Sequence, residues 1–217
     1  MKRNKLGQII KYNINEKFFI KKTNSLFWLI GILAADGCIR NNHISISQSN
    51  LHGLKLIKHI KKLIEFNGKI YNYKNSYSIQ FTSNKVIKIL NKYNIVQNKT
   101  LIYSLPNFKN KKEFKSFIRG YFDGDGSVGF YTNGTKTVSL CANFVGTKQF
   151  ISKVKKQLPL GYSVTHIKRA KNLYELRWYG KNAINFLNWL YEDKMLYKYY
   201  KEKKFEQYFK IHGNKYV

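Results

Sequence analysis

The chain has 217 residues, of which 40 are Lys or Arg and 11 are Asp or Glu, so its formal net charge at pH 7 is +29. This excess is far larger than solubility requires and is typical of a protein that binds a polyanion such as nucleic acid. Hydrophobic residues make up 43% of the sequence and aromatic residues 16%, which excludes a purely disordered basic tail. The longest apolar stretches, such as SLFWLIGILAA, are too short to span a membrane, so no membrane partner is expected.

Residues 1–23 form a basic extension that lacks the apolar segment of a secretory signal. The two copies of an internal repeat follow at residues 24–105 and 106–217, with their boundary near the basic, proline-containing stretch SLPNFKNKKEF. The repeated signals, in chain order, are LIGILAADG and IRGYFDGDG, then GLKLIKHIKKLI and KQFISKVKKQL, then YSIQFTSNKVIKILNKY and YELRWYGKNAINFLNWL. Each copy is therefore predicted to read helix, two strands, helix, two strands, helix. The predicted fold class is α+β with two pseudo-symmetric halves.

The predicted strands alternate apolar and polar residues. In HISISQ, YSIQFT and YELRW the apolar positions would face a core and the polar positions would form an open sheet face. That face carries donors and acceptors suited to base edges, although a solvated sheet surface is the alternative interpretation. The candidate DNA contacts are Arg40, Ser45, Ser47, Ser78, Gln80, Thr82, Lys136, Lys168, Arg169, Glu175 and Arg177.

Both motif helices carry small residues inside an apolar run, namely Gly31, Ala34 and Ala35 in the first and Gly120 and Gly124 in the second. A glycine in a helix interior costs about 1 kcal/mol relative to alanine, so its recurrence needs a compensating gain. Close approach of two helix backbones provides that gain. We therefore expect the motif helices to pack on each other across a pseudo-twofold axis.

Asp36 and Asp125 hold the same place in the two motifs, at the C-terminal ends of the predicted helices. Packing of those helices would bring two carboxylates together at the negative ends of two helix dipoles, which is unfavourable unless a cation lies between them. Oxygen ligands of this kind suit Mg²⁺, which keeps several waters and is often shared with substrate phosphates. In a strongly basic chain the pattern favours metal-assisted phosphodiester hydrolysis. The alternative is that Asp and Gly merely end each helix.

The motif pair LIGILAADG and IRGYFDGDG, with the strand and helix pattern beside it, resembles the LAGLIDADG homing endonucleases in their single-chain form with two motifs. The resemblance covers residues 24 to 210. It implies two halves with saddle-shaped antiparallel sheets that lie in the DNA major groove. It also implies a double-strand break across the minor groove that leaves short 3′ overhangs, in the service of intron mobility.

The same resemblance implies that Asp36 and Asp125 bind the divalent metal, with the backbone carbonyls of Ala35 and Gly124 as further candidate ligands. The expected cofactor is Mg²⁺, with Mn²⁺ able to substitute and Ca²⁺ supporting binding without cleavage. In SISQSN the resemblance gives Gln48 the role of ordering water around the metal, and in VQNKTL it makes Lys99 the basic residue near the scissile phosphate.

The second half departs from this pattern. The counterpart of Gln48 is Gly146 or, with a shift, Asn143, and the counterpart of Lys99 is Lys198 or Tyr199. The first motif has an alanine where the second has Asp123, so Asp123 is expected to brace its helix end and not to bind metal.

The expected partner is double-stranded DNA, bound by a monomer that needs no protein partner, with the host intron RNA as a further candidate. Two alternatives share the scaffold and the basic surface: an RNA maturase that assists group I intron splicing, and a non-catalytic DNA-binding regulator. The two aspartates favour cleavage over both.

Cys38 and Cys141 are far apart in the sequence and fit no metal-ligand spacing, so they are predicted to be buried free thiols in a reducing, intracellular compartment. A mitochondrion, a chloroplast and a bacterial or phage-infected cytoplasm all fit this expectation.

Overall fold

The order of helices and strands repeats once along the chain. A computed structural model describes residues 12–132, 138–158, 161–166, 171–193 and 197–212. The helices are α1 (Asn24–Asp36), α2 (Asn50–Leu63), α3 (Asn84–Asn91), α4 (Lys111–Asp125), α5 (Lys148–Lys155), α6 (Gly180–Tyr191) and α7 (Tyr200–His212), with 3-10 helices at Glu16–Phe19 and Lys99–Leu101. The strands are β1 (Gly37–Arg40), β2 (His43–Ser49), β3 (Tyr71–Tyr73), β4 (Ser76–Thr82), β5 (Ser127–Thr132), β6 (Val138–Thr147), β7 (Ser163–His166) and β8 (Leu173–Tyr179).

Among the described residues the strands form two antiparallel sheets of four, with the orders β1-β2-β4-β3 and β5-β6-β8-β7. The two orders are the same because each half follows the same path from motif helix to final helix. The predicted α+β fold with two pseudo-symmetric halves is confirmed. Helix α7 ends the second half, and the corresponding place in the first half holds the short 3-10 helix Lys99–Leu101.

The sheet faces follow the predicted alternation. Ile44, Ile46 and Ile79 in the first sheet, and Leu176 and Trp178 in the second, are completely buried. These side chains form one face of each sheet, and α2 and α5 follow directly on the strands whose apolar residues they cover. The opposite faces stay open.

The expectation of buried thiols was wrong. Cys38 is exposed and Cys141 is half-buried. Strand alternation explains the result, because Cys38 precedes the buried Ile39 in β1 and therefore points to the open face. Cys141 likewise lies between the buried Leu140 and Ala142 in β6.

The motif helices α1 and α4 pack against each other along their lengths, as predicted. A Cβ atom added at Gly120 would overlap the carbonyl oxygen of Trp28, and one added at Gly31 would lie 2.6 Å from the backbone nitrogen of Tyr121. Larger side chains at either position would therefore push the helices apart. Their C-terminal ends, Asp36 and Asp125, consequently come to the same side of the molecule.

Residues 12–23 of the N-terminal extension pack on the first half. The backbone nitrogen of Asn15 donates to the carbonyl of Ile64 at 2.8 Å, and Phe19 is buried. Across the described ranges, no helix combines the length and the apolar character needed to cross a membrane. The candidate DNA contacts Lys136, Lys168 and Arg169 lie outside the described residues.

Candidate active site

Two carboxylates meet where the motif helices end. Asp36 is the last residue of α1 and Asp125 is the last residue of α4, and each is followed by a glycine in extended conformation that begins the path to a strand. A Cβ at Gly124 would lie 2.7 Å from Asp36 Oδ2, so the Asp36 carboxylate rests directly over the backbone that precedes Asp125. The close helix packing is what allows this contact.

The electrostatics of the pair disfavour two negative charges. Burial, followed by repulsion from Asp125, raises the pKa of Asp36 from 3.8 to about 6. Burial also raises the pKa of Asp125, while Lys201 and Lys99 oppose that rise. The charged forms of both groups therefore gain from an added cation.

Gln48 lies on the first-half side of the carboxylates. Its Nε2 donates to Asp36 Oδ2 at 2.5 Å, and the Tyr199 hydroxyl donates to its Oε1 at 3.5 Å. Gln48 is the second-to-last residue of β2, and a Cβ added at Gly53 would lie 2.7 Å from its Cβ. The glycine in α2 therefore makes room for the amide side chain at the end of the strand.

Two buried lysines hold the ends of the motif helices. Lys99 Nζ donates to the Ala35 carbonyl at 3.4 Å. Lys201 Nζ donates to the carbonyls of Phe122, Asp123 and Gly124 at 2.9, 2.8 and 2.7 Å. Ala35 and Gly124 hold the same place in their motifs, so the two lysines are counterparts. Each donates to carbonyl groups in the last turn of a motif helix, where the negative end of the helix dipole favours a cation.

Burial lowers the pKa of both lysines, although the carboxylates oppose the shift. The pKa of Lys201 falls from 10.5 to about 8, while Asp123, Asp36 and Asp125 favour its charged form. The pKa of Lys99 is also lowered by burial, with Asp125 and Asp36 acting in the opposite direction. Both ammonium groups therefore lie near the carboxylate pair, which stabilises their positive charge.

The structure places the second-half lysine three residues beyond the position expected for it. Lys198 is exposed and forms an ion pair with Glu206 at 2.5 Å, away from the carboxylates. Lys201 was missed, although Lys201, Phe205 and Tyr208 share one buried face of α7 at helical spacing. A lysine on the apolar side of an amphipathic helix was the available signal.

Tyr199, the other expected counterpart of Lys99, contacts Gln48 of the first half, as described above. Its segment reaches across the molecule, because Tyr200 stacks on His52 at 4.7 Å and Tyr197 stacks on His59 at 4.1 Å between ring centroids. These contacts join the start of α7 to α2.

Asp123 lies apart from the carboxylate pair and braces the two motif helices. It is completely buried, accepting from Trp28 Nε1 at 2.9 Å and from the Tyr191 hydroxyl at 3.4 Å. Burial raises its pKa from 3.8 to about 6. Nearby, Arg119 forms a buried ion pair with Glu202 at 2.8 Å. These contacts tie α1, α4, α6 and α7 together.

The strand register decides which residue of the second half corresponds to Gln48. Gln48 pairs with Tyr77 in β4, and Gly146 pairs with Tyr174 in β8. Gly146 is therefore the counterpart, and it has no side chain. Asn143 lies on the open sheet face, where its amide donates to Glu175 Oε1.

The open faces of both sheets carry the described DNA-binding candidates. In the first sheet Ser45 pairs with Gln80, and in the second Asn143 pairs with Arg177 at the same place. Arg177 forms an ion pair with Glu175 at 2.6 Å. The other candidates on the first sheet's open face are Arg40, Ser47, Ser78 and Thr82.

The donors that could bind a divalent cation are the carboxylates of Asp36 and Asp125. Their mutual repulsion and their water-accessible position fit such an ion. The described ranges contain no cluster of three or more His, Cys, Asp or Glu side chains. The carbonyls of Ala35 and Gly124 already accept hydrogen bonds from Lys99 and Lys201. Each of these carbonyls keeps a second lone pair, so a cation at this site could draw on the two carboxylates, the carbonyls, water and substrate oxygens.

The architecture matches solved structures of LAGLIDADG homing endonucleases. I-LtrWI bound to target DNA is 13% identical, with a TM-score of 0.64 over 93% of this chain and 92% of that chain. I-GzeII in complex with its DNA target is 16% identical, with a TM-score of 0.61 over 85% of this chain and 88% of that chain. I-AabMI bound to uncleaved DNA is 13% identical, with a TM-score of 0.62 over 87% and 90%. The chain has the LAGLIDADG homing endonuclease fold, as its two motifs indicated.

Sequence comparison gives a different kind of relative. The DNA-directed RNA polymerase subunit Rpo1C of Methanocaldococcus jannaschii is 29% identical over 137 residues, which cover 56% of this chain. The match covers 16% of that protein's length. No protein-family profile matches the sequence.

Proposed function

We propose that the protein is a site-specific DNA endonuclease that makes a metal-dependent double-strand break and thereby promotes intron mobility. The observation that carries this proposal is the meeting of Asp36 and Asp125 at the ends of two packed helices, with Lys99 and Lys201 beside them. A protein that only bound DNA would gain nothing from two carboxylates facing a polyanion. The DNA complexes formed by the structural neighbours support duplex DNA as the substrate.

Asp36 and Asp125 would hold Mg²⁺ or Mn²⁺, with Ca²⁺ supporting binding alone. A divalent ion supplies charge stabilisation for the phosphate and a more acidic bound water. The residues of this chain do the rest. Gln48, fixed on Asp36, would orient water on its side, and Lys99 and Lys201 would offset the negative charge that develops as water oxygen bonds to phosphorus and a phosphorus–oxygen ester bond breaks.

The open sheet faces would bind the DNA grooves. Polar side chains such as Gln80 and Arg177 can reach base edges, and the surrounding basic surface would contact phosphates. We propose that one chain binds one duplex without a protein partner, because both motif helices are already paired within it. The free cysteines accord with an intracellular, reducing compartment.

The alternative functions predict different behaviour. An RNA maturase would bind its host intron RNA and speed its splicing, with no need of the carboxylates. A DNA-binding regulator would bind a duplex site and leave it intact. The near contact of Asp36 with the backbone before Asp125 favours the nuclease over both.

The test is cleavage of a randomised duplex library cloned in plasmids, with the ends of cut molecules sequenced. The proposal predicts one recovered target, short 3′ overhangs and cutting in Mg²⁺ or Mn²⁺ but not in Ca²⁺ or EDTA. The affinity for that target should fall with salt by about 0.9 in log K per log salt for each phosphate neutralised. Tight binding without cutting in any divalent ion would instead support a regulator.

A further inference from the structure

The two sides of the carboxylate pair are built differently, although the backbone around them is the same. Gln48 and Gly146 are each the second-to-last residue of the long strand that follows a motif helix by one hairpin. Their pairing with Tyr77 and Tyr174 confirms that they are equivalent. At this strand position the first half therefore supplies an amide to the site, and the second half supplies no side chain.

Core packing fixes this difference. In the first half, Gly53 leaves space for Gln48, since a Cβ there would lie 2.7 Å from the Gln48 Cβ. In the second half the glycine is on the strand instead, and a Cβ at Gly146 would overlap the Phe150 ring and lie 3.4 Å from Ile151 Cδ1. Gly53 lies five residues after Gln48, and Ile151 lies five residues after Gly146. The first half therefore has its large residue on the strand and its glycine on the helix, and the second half has the reverse.

The second half also has an open space beside Asp125. A cavity of about 270 Å³ is lined there by Asp125, Lys99, Tyr121 and Gly146, among others. On the opposite side, the Gln48 amide lies 2.5 Å from Asp36 and is backed by Tyr199. A water bound near Asp36 would therefore meet a fixed amide, whereas a water bound near Asp125 would lie in an open volume.

We infer that the two DNA strands are cut at different rates, with the strand hydrolysed on the Gln48 side cut first. This inference rests on the proposed nuclease function. A fixed amide holds the attacking water in one orientation before reaction, and the open cavity does not, so the Gly146 side loses part of the advantage of orientation. The reaction should therefore pass through a nicked duplex that always carries its break in the same strand.

The experiment uses a supercoiled plasmid that carries the recovered target, with each strand of a matching duplex labelled at its end. The wild-type chain should accumulate nicked plasmid before linear product, with one strand cut at least several-fold faster. Gln48→Gly, which copies the second half, should slow the first strand roughly 10–100-fold, the range for a residue that orients groups at a metal site, and leave the second strand unchanged. Gln157→Gly removes the same side chain from the exposed turn that follows α5 and should change neither rate.

The outcomes separate the inference from the function on which it rests. Equal rates for both strands, or an equal slowing of both by Gln48→Gly, would overturn the inference and leave the nuclease function standing. Absence of cutting in every divalent ion would overturn both. Thermal unfolding tests the packing independently: Gly146→Ala should lower the melting temperature and Gly129→Ala, where no atom lies within 4 Å of the added Cβ, should not. Equal melting temperatures would remove the structural basis of the inference.

Discussion

The two halves of the molecule share a framework and differ at the point where that framework meets the candidate active site. Both sheets have the same strand order, and both motif helices end in an aspartate held near a buried lysine. Yet Lys99 comes from a short 3-10 helix between the halves, and Lys201 comes from α7 at the end of the second. The same electrostatic arrangement is thus reached from two different local structures.

Comparison of the two halves indicates which chemical groups the site requires. The carboxylates and the lysines occur on both sides, although the segments that carry the lysines have diverged in length and structure. The amide of Gln48 and the buried Asp123 each occur on one side only. We therefore expect the duplicated groups to be essential for cutting and the single ones to adjust rate or stability.

Outside the carboxylate pair, the largest effect should come from the lysine of the second half. Lys201→Met removes an ammonium group from beside the carboxylates, so cleavage should fall about 10²–10³-fold, the range for losing one group that stabilises developing charge. It also removes a charged donor from three helix-end carbonyls, of which that of Phe122 keeps the Gly126 N–H, and this loss should lower the free energy of unfolding by about 1–3 kcal/mol. Lys198→Met should change neither quantity appreciably, as the exposed Lys198 pairs with the half-buried Glu206. Single-turnover cleavage with folded protein measures the first effect and urea unfolding the second; similar rates for the two variants would contradict the assignment.

The helix contact at the centre of the molecule gives the next effect. Gly120→Ala places a Cβ against the Trp28 carbonyl, so we expect a loss of about 3 kcal/mol in the free energy of unfolding through overpacking. Gly129→Ala meets open space and should stay within about 0.5 kcal/mol of the wild type. Chemical denaturation compares the two. A tolerated alanine at position 120 would mean that the close approach of α1 and α4 is not required.

Asp123 should make stability depend on pH. Its pKa in the folded chain is about 6, above the ordinary 3.8, so the folded chain binds more protons than the unfolded chain between these values. The stabilisation that protonation of Asp123 gives is complete below pH 4 and is lost as the pH rises through 6, which amounts to about 3 kcal/mol. Asp123→Asn cannot titrate, so the wild-type stability minus the variant stability should fall by about that amount between pH 4 and pH 7. Urea unfolding of both proteins across this range measures it, and a constant difference would disprove the shift.

The open sheet faces should give the smallest effect. Gln80 and Arg177 occupy equivalent places, but only Arg177 carries a charge, and Glu175 already neutralises part of it. Alanine at either position should weaken target binding by about 1–3 kcal/mol and relax the preference at one base pair. Only Arg177→Ala should also flatten the salt dependence, by less than one unit of slope. Titrations at several salt concentrations compare the two variants; identical slopes would mean that the charge of Arg177 does not reach DNA.

Much of the fold could be predicted from the sequence because alternation directly reflects which face of a strand or helix is buried. Ile44, Ile46 and Ile79 follow a period of two, and the glycines of the motif helices indicated the close packing that Gly31 and Gly120 make. The thiols were wrongly expected to be buried, since the preference of cysteine for interiors is weaker than the alternation of the strand that carries it.

The residues of the site could be predicted only where the two copies of the internal repeat align without a difference in length. Asp36, Asp125 and Gln48 lie within or close to the motifs, whereas Lys201 follows a longer connection in a run that contains several lysines. The choice between Gly146 and Asn143 needed the strand register, which depends on pairing partners distant in the chain. Long-range pairing, not local pattern, decides such positions.

We propose above that Asp36 and Asp125 together hold the metal with which the protein cuts DNA. The most direct measurement is cleavage of the target plasmid by Asp36→Asn and Asp125→Asn in Mg²⁺, Ca²⁺ and EDTA, beside target binding by the same proteins. We predict that each variant loses double-strand cleavage while binding stays as tight or becomes slightly tighter, because a negative charge next to the DNA has been removed. Full cleavage by the Asp125→Asn protein, or wild-type cutting that persists in EDTA, would contradict the account.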